Sequence, residues 1–121
     1  MSKKILVVDD EAHINRLVKF ILEKQGYKVT QAFDGEECLE KVKIDKPDLV
    51  VLDVMMPGMD GFEVADELVA DPETKNIRIL MLSSKAQFED KMRGIDSGAM
   101  YYITKPFDNK DFVQKVRECL E

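Results

Sequence analysis

Four stretches of the chain run through apolar residues and end on a group capable of polar chemistry. Residues 5–8 lead into Asp9 and Asp10, residues 49–52 into Asp53, residues 79–82 into Ser83 and Ser84, and residues 101–104 into Lys105 and Pro106. If these runs are neighbouring strands, three carboxylates, a hydroxyl and an ammonium meet on one rim. Two carboxylates about 4 Å apart repel by roughly 4 kcal/mol at an effective dielectric of about 20, so the cluster needs a compensating charge. Carboxylate and water oxygens are the donors that Mg²⁺ takes, with Mn²⁺ as a substitute. Lys105 adds a second positive charge. A dication, an ammonium and a hydroxyl donor together complement a phosphoryl group. The carboxylate nearest that group can act as a nucleophile and form an aspartyl phosphate.

Each residue alone has an ordinary reading. Asp9 and Asp10 can cap a helix, Asp53 can be a loop carboxylate, Ser83 a satisfied strand-end hydroxyl, and Lys105 a solvated surface lysine. The phosphoryl reading rests on their shared position, which depends on the elements that carry them. Five short apolar runs recur, at 5–8, 29–32, 49–52, 79–82 and 101–104. Runs without polar interruption suit strands covered on both faces. The run over 28–33 is more mixed, as an edge-ward strand would be. Strand two offers little to the rim beyond Phe33.

Helical patterns fill the intervals. Over 11–25 the stripe is Ile14, Leu17, Val18, Ile21 and Leu22, stopped by Gly26. Over 34–44, Asp34 and Glu37 have capping-box spacing and Cys38, Leu39 and Val42 face inward. Over 61–70 the inner face is Phe62, Val64, Ala65 and Leu68, and Asp71-Pro72 ends the helix. Over 86–97 it is Phe88, Met92 and Ile95. Over 108–120, Asp108 caps and Phe112, Val116 and Leu120 align. Five β-α units with right-handed crossovers predict a parallel sheet between two helical layers. Such sheets bind ligands at the carboxyl ends of their strands.

The bulk numbers agree with one acidic globular domain. The chain has 121 residues, a net charge of -6, 45% hydrophobic and 35% charged residues. An acidic domain repels phosphate backbones, which argues against direct nucleic-acid binding. No window has the apolar length of a membrane span, and residues 1–10 lack a signal-peptide core. Cys38 and Cys119 lack metal-site spacing and read as reduced, packed thiols of a cytoplasmic protein.

The stretches ILVVDDE, AFDGEECLE, PDLVVLDVMMPGMDGFEV, ADPETKNI, ILMLSSK and YYITKPF occur in order and span nearly the whole chain. In them the chain resembles the receiver domain of two-component response regulators. The resemblance implies one receiver domain over 1–121 and a flavodoxin-like (βα)5 sandwich with strand order 2-1-3-4-5. It implies that Asp53 is the phosphoacceptor, that Asp9, Asp10 and Asp53 bind Mg²⁺, and that the main-chain carbonyl of Met55 is a further ligand. It gives Ser83 the hydroxyl that bonds the phosphoryl group, Lys105 the ammonium that pairs with it, and Tyr102 the role of switch aromatic. It makes Lys105-Pro106 a cis peptide. Ser83 and Ser84 stand where relatives mostly carry Thr and Ala, which keeps the hydroxyl but alters the surroundings of the phosphate. Met100 and Tyr101 add apolar surface beside Tyr102, read as local packing or as a partner surface.

The implied function is a phosphorelay switch, not a metabolic enzyme: it catalyses only its own phosphotransfer and autodephosphorylation. Its partners would be a sensor histidine kinase or histidine phosphotransfer protein, and a downstream target or output domain. It would be a monomer or a phosphorylation-dependent dimer. His13, the one histidine, lies off the apolar stripe and reads as a solvated side chain, so the donor histidine belongs to a partner. The competing class is a Mg²⁺-dependent phosphatase, disfavoured by short loops that leave no substrate pocket. Nothing after the last helix resembles an effector, and the chain reads as a single-domain regulator or as a receiver cut from a longer one.

Overall fold

The computed structural model describes residues 2–84 and 101–121, with Ser83 and Ser84 described in their backbone alone. The strands are β1 (Lys4–Val8), β2 (Lys28–Ala32), β3 (Leu49–Asp53), β4 (Arg78–Ser84) and β5 (Tyr101–Lys105). The helices among the described residues are α1 (Ala12–Lys24), α2 (Gly35–Asp45), α3 (Gly61–Ala70) and α4 (Asn109–Leu120). The helix expected over 86–97, with Phe88, Met92 and Ile95, and Met100 as well, lie outside the described residues.

All four strand pairs are parallel, in the order β2-β1-β3-β4-β5. This is the flavodoxin-like order. Alternation along the strands splits the core in two. Leu6, Val8, Val50, Leu52, Ile79 and Met81 pack against Cys38 and Val42 of α2 and Phe62, Val64, Ala65 and Leu68 of α3. Ile5, Val7, Leu49, Val51, Leu80 and Leu82 pack against Val18 and Leu22 of α1 and Phe112, Val116 and Cys119 of α4. Every residue of β3 is buried, as expected for a strand covered on both faces. The mixed β2 is an edge strand. So is β5, whose residues are all half-buried despite their apolar run. An edge strand has one neighbour instead of two and keeps part of its surface.

Local signals set the ends. Asp34 accepts from the Glu37 amide at 2.8 Å, while Glu37 reaches the Phe33 amide at 2.6 Å. Asp60 and Glu63 form a complete capping box on α3, and Asp108 accepts from Asp111 on α4. Gly26 follows α1 with φ +93°, where a side chain would be strained. One expectation fails. The buried residues of α1 are Asn15, Val18 and Leu22, while Leu17 is 52% exposed. The helix is rotated so that Asn15 faces the sheet, because backbone carbonyls at the ends of β1 and β2 supply the partners its amide needs. Leu17 and Phe20 instead line an open groove shared with Val113 of α4.

Candidate functional site

The site is built from three strand ends. Asp9 directly follows β1, Asp53 closes β3, and Lys105 closes β5. Asp9 continues the parity of Ile5 and Val7, Asp53 that of Leu49 and Val51, and Lys105 that of Tyr101 and Ile103. All three therefore lie on the α1/α4 side of the sheet. Carboxylate oxygens of Asp9, Asp10 and Asp53 fall within 4.8 Å of one another. Lys105 Nζ stands 3.3 Å from Asp53 Oδ1. Three acidic groups and one ammonium, far apart in sequence, are thus brought together.

Burial makes the cluster costly. Asp9 is 1% exposed and Asp53 4%, whereas Asp10 is exposed. Desolvation pushes Asp9 up to about 6; the Glu11 amide opposes this and the Asp53 charge adds to it. Desolvation also raises Asp53, against the attraction of Lys105 and bonds from Lys105 and the Met55 amide. Asp9 Oδ1 accepts from the Glu11 amide at 2.9 Å. Its Oδ2 is buried and has no hydrogen-bond partner among the described residues. A bare buried carboxylate oxygen beside two further carboxylates suits a cation. The donor set, all oxygen, suits Mg²⁺ or Mn²⁺.

The loop after Asp53 is shaped for close approach. A Cβ at Gly61 would lie 2.7 Å from the Asp53 carbonyl oxygen and 2.9 Å from Val54 Cα, so only glycine lets α3 start there. The Gly61 amide donates to the Val54 carbonyl at 2.9 Å. Gly58 holds φ +78° in the turn. Met55 is exposed, and its amide donates to Asp53 Oδ1 at 3.4 Å. The Lys105-Pro106 peptide is cis.

Other expected residues are placed as follows. In register, Ser83 pairs with Thr104 and Ser84 with Lys105, while Leu82 pairs with Asp53. Tyr102 packs against the α2/α3 core, and its hydroxyl is buried without a partner among the described residues. Tyr101 packs on the opposite core, and its hydroxyl donates to the Glu118 carbonyl at 3.2 Å. His13 is a solvated side chain, 3.8 Å from Glu11. Burial pushes the thiols of Cys38 and Cys119 up to about 12 and keeps them protonated. No described helix is long and apolar enough to cross a membrane.

Sequence reading missed Asn15. It is fully buried, and its Nδ2 donates to the carbonyls of Asp9 at 3.0 Å and Ala32 at 2.9 Å. The one available signal was an amide next to an apolar stripe. Strand β2 also counts for more than Phe33, since the Ala32 carbonyl accepts from the Asp9 amide at 3.2 Å.

The comparisons fit this geometry. The family model for the response regulator receiver domain matches residues 5–117. The alkaline phosphatase synthesis transcriptional regulatory protein PhoP of Bacillus subtilis (strain 168) is 47% identical over 120 residues, covering 99% of this chain and 49% of that protein. The phosphate regulon transcriptional regulatory protein PhoB of Escherichia coli (strain K12) is 38% identical over 120 residues, covering 99% of this chain and 52% of PhoB. The chain thus spans about half the length of the curated relatives it matches. Among solved structures, chemotaxis protein CheY4 of Vibrio cholerae has a TM-score of 0.93 at 33% identity, covering 99% of this chain and 100% of that one. The receiver domain of NtrX from Brucella abortus has a TM-score of 0.89 at 32% identity, covering 96% of this chain and 97% of that one. Fold, acidic rim and family match converge, and the chain belongs to the receiver domains of two-component response regulators.

Proposed function

We propose that the domain, over residues 1–121, is a phosphorylation switch in which Asp53 accepts a phosphoryl group from a phosphohistidine. The donor is a sensor histidine kinase or a histidine phosphotransfer protein in the cytoplasm. An Asp53 oxygen attacks phosphorus in line, and the P–N bond breaks. Its electron pair stays on the imidazole. Water later hydrolyses the acyl phosphate, returning the carboxylate and free phosphate. No other substrate is turned over.

Asp9, Asp10, Asp53 and the Met55 carbonyl are the groups that would hold Mg²⁺, or Mn²⁺ in its place. Bound there, the dication supplies charge neutralisation for the phosphoryl oxygens. Lys105 already pairs with Asp53, so its ammonium is at hand for the phosphoryl charge. Ser83 donates its hydroxyl to the new acceptor oxygens. Tyr102 follows that movement as the switch aromatic, its hydroxyl being buried without a partner among the described residues. The surface of residues 86–97, β5 and α4 then engages a target or output domain, or a second copy as a phosphorylation-dependent dimer.

One observation carries the proposal. Asp9 Oδ2 is buried without a hydrogen-bond partner among the described residues, within a three-carboxylate cluster facing Lys105. A cluster serving only the fold would satisfy that oxygen. The test is labelling by a small acyl phosphate with Mg²⁺, read by mass spectrometry. One phosphoryl group per chain, at Asp53, is expected. Equal labelling of Asp53→Asn would overturn the assignment, and steady turnover of a phosphomonoester would replace the switch with a phosphatase.

A further inference from the structure

We infer that Asn15 is a positioning residue for Asp9: its buried amide fastens α1 to the ends of β1 and β2 and so fixes the carboxylate that the cation requires. This rests on the proposed cation site and adds a residue to it.

The geometry is specific. Asn15 is 0% exposed. Its Nδ2 carries two hydrogens and has two short acceptors, the Asp9 carbonyl at 3.0 Å and the Ala32 carbonyl at 2.9 Å; the Val7 carbonyl is more distant at 3.5 Å. Its Oδ1 accepts from Gln31 Nε2 at 3.0 Å. Both ends of the amide are satisfied, and three carbonyl oxygens around one atom fix which end is nitrogen. The tie continues outward. Lys41 of α2 donates to the Gln31 carbonyl and pairs with Glu37 at 3.5 Å. Asp9 is thus held at two points. Asn15 and the Ala32 carbonyl fix its backbone, and the Glu11 amide fixes Oδ1. Oδ2 has no hydrogen-bond partner among the described residues and lies beside Asp10 and Asp53. A leucine would fill the same volume and anchor none of these strand ends. A fully satisfied buried network rigidifies what it touches, and groups that orient a metal ligand typically govern affinity by about 10- to 100-fold.

The test is Mg²⁺ titration of the folded protein, followed by amide NMR shifts of Asp10 and Met55 and compared with urea stability. Asn15→Leu is expected to weaken Mg²⁺ by about tenfold. At saturating Mg²⁺ its acyl-phosphate labelling should return to near the wild-type rate. Thr74→Val is the structural comparator. Thr74 is buried at the other end of the sheet, where Oγ1 donates to the Leu68 carbonyl at 2.7 Å. That variant should lose stability while keeping wild-type Mg²⁺ affinity. Wild-type affinity in Asn15→Leu, or equal weakening in Thr74→Val, overturns the inference. If Asn15→Leu fails to fold, Gln31→Leu decides. It removes only the bond to Oδ1, and a roughly threefold loss of affinity supports the tie, whereas an unchanged affinity overturns it. Absence of Mg²⁺ binding by the wild type overturns the cation site itself, an outcome distinct from all of these.

Discussion

Asp48 stands just before β3 and Asp53 closes it, yet one strand gives its two aspartates opposite circumstances. Asp48 is half-buried, and its Oδ2 accepts from the Lys4 amide at 2.8 Å. Its own amide donates to the Lys4 carbonyl at 2.8 Å, and its carbonyl accepts from Arg78 at 3.4 Å. It joins the starts of β1 and β3 through two short bonds, and that of β4 through a longer one, all of them used by the fold itself. Asp53 is nearly fully buried, and its contacts are long: 3.3 Å to Lys105 and 3.4 Å to the Met55 amide. Burial raises its pKa. The amino ends of the strands spend their charges on holding the sheet together. The carboxyl ends keep buried charges that weaken the isolated fold.

The largest test of that contrast concerns Asp9, which shares the buried rim. Its pKa lies near 6 in the folded chain against 3.8 ordinarily. Below the lower value both states carry the proton and no penalty exists. As pH rises between the two, the unfolded chain releases the proton first, so stability falls; above about 6 the full penalty, about 3 kcal/mol, is present. In metal-free protein at pH 7, Asp9→Asn should therefore gain on the order of 2 kcal/mol in urea unfolding, since a neutral amide carries no charge to desolvate. That gain should vanish near pH 4 and shrink in excess Mg²⁺, which stabilises only the wild type. A destabilised Asp9→Asn at pH 7 would place Asp9 with Asp48, among the charges the fold needs.

A smaller difference, about 1 kcal/mol, separates two glycines of the loop that follows Asp53. Gly61→Ala puts a Cβ against backbone atoms and should cost about 2–3 kcal/mol and slow labelling at Asp53. Gly58→Ala meets no atom within 4 Å but must hold φ +78°, and should cost about 1–2 kcal/mol with little effect on labelling. Equal labelling defects would mean that the loop's conformation, not the close approach behind Asp53, sets the site. The smallest effect is expected at the amino end. Asp48→Ala removes the bond to the Lys4 amide and should cost about 1 kcal/mol in thermal or urea unfolding while leaving labelling unchanged.

Most of the architecture was legible in the chain because it depends on short-range periodicity. The apolar runs at 5–8, 49–52 and 79–82 became β1, β3 and β4, and the caps at Asp34 and Asp108 stood where their spacing placed them. Asp9, Asp53 and Lys105 were legible as candidates because each terminates such a run. The errors came where packing chooses among several faces. Helix α1 has more apolar positions than it can bury, and Leu17 lost its place to Asn15. The run at 101–104 looks locally like a strand covered on both faces, and it is the strand order 2-1-3-4-5, implied by the resemblance and not by the run itself, that puts it at the edge. Neither outcome is written in local pattern, since each depends on what the neighbouring strand or helix presents.

The sequence by itself determined the alternation of strand and helix and the residue types waiting at the strand ends, because both are properties of consecutive residues. Tertiary structure alone decided that three of those ends lie within reach of one another, that Asp9 and Asp53 are dry while Asp10 is wet, and that an asparagine of α1 ties β1 to β2. Those are matters of distance and solvent exclusion between segments far apart in the chain, and no local pattern carries them.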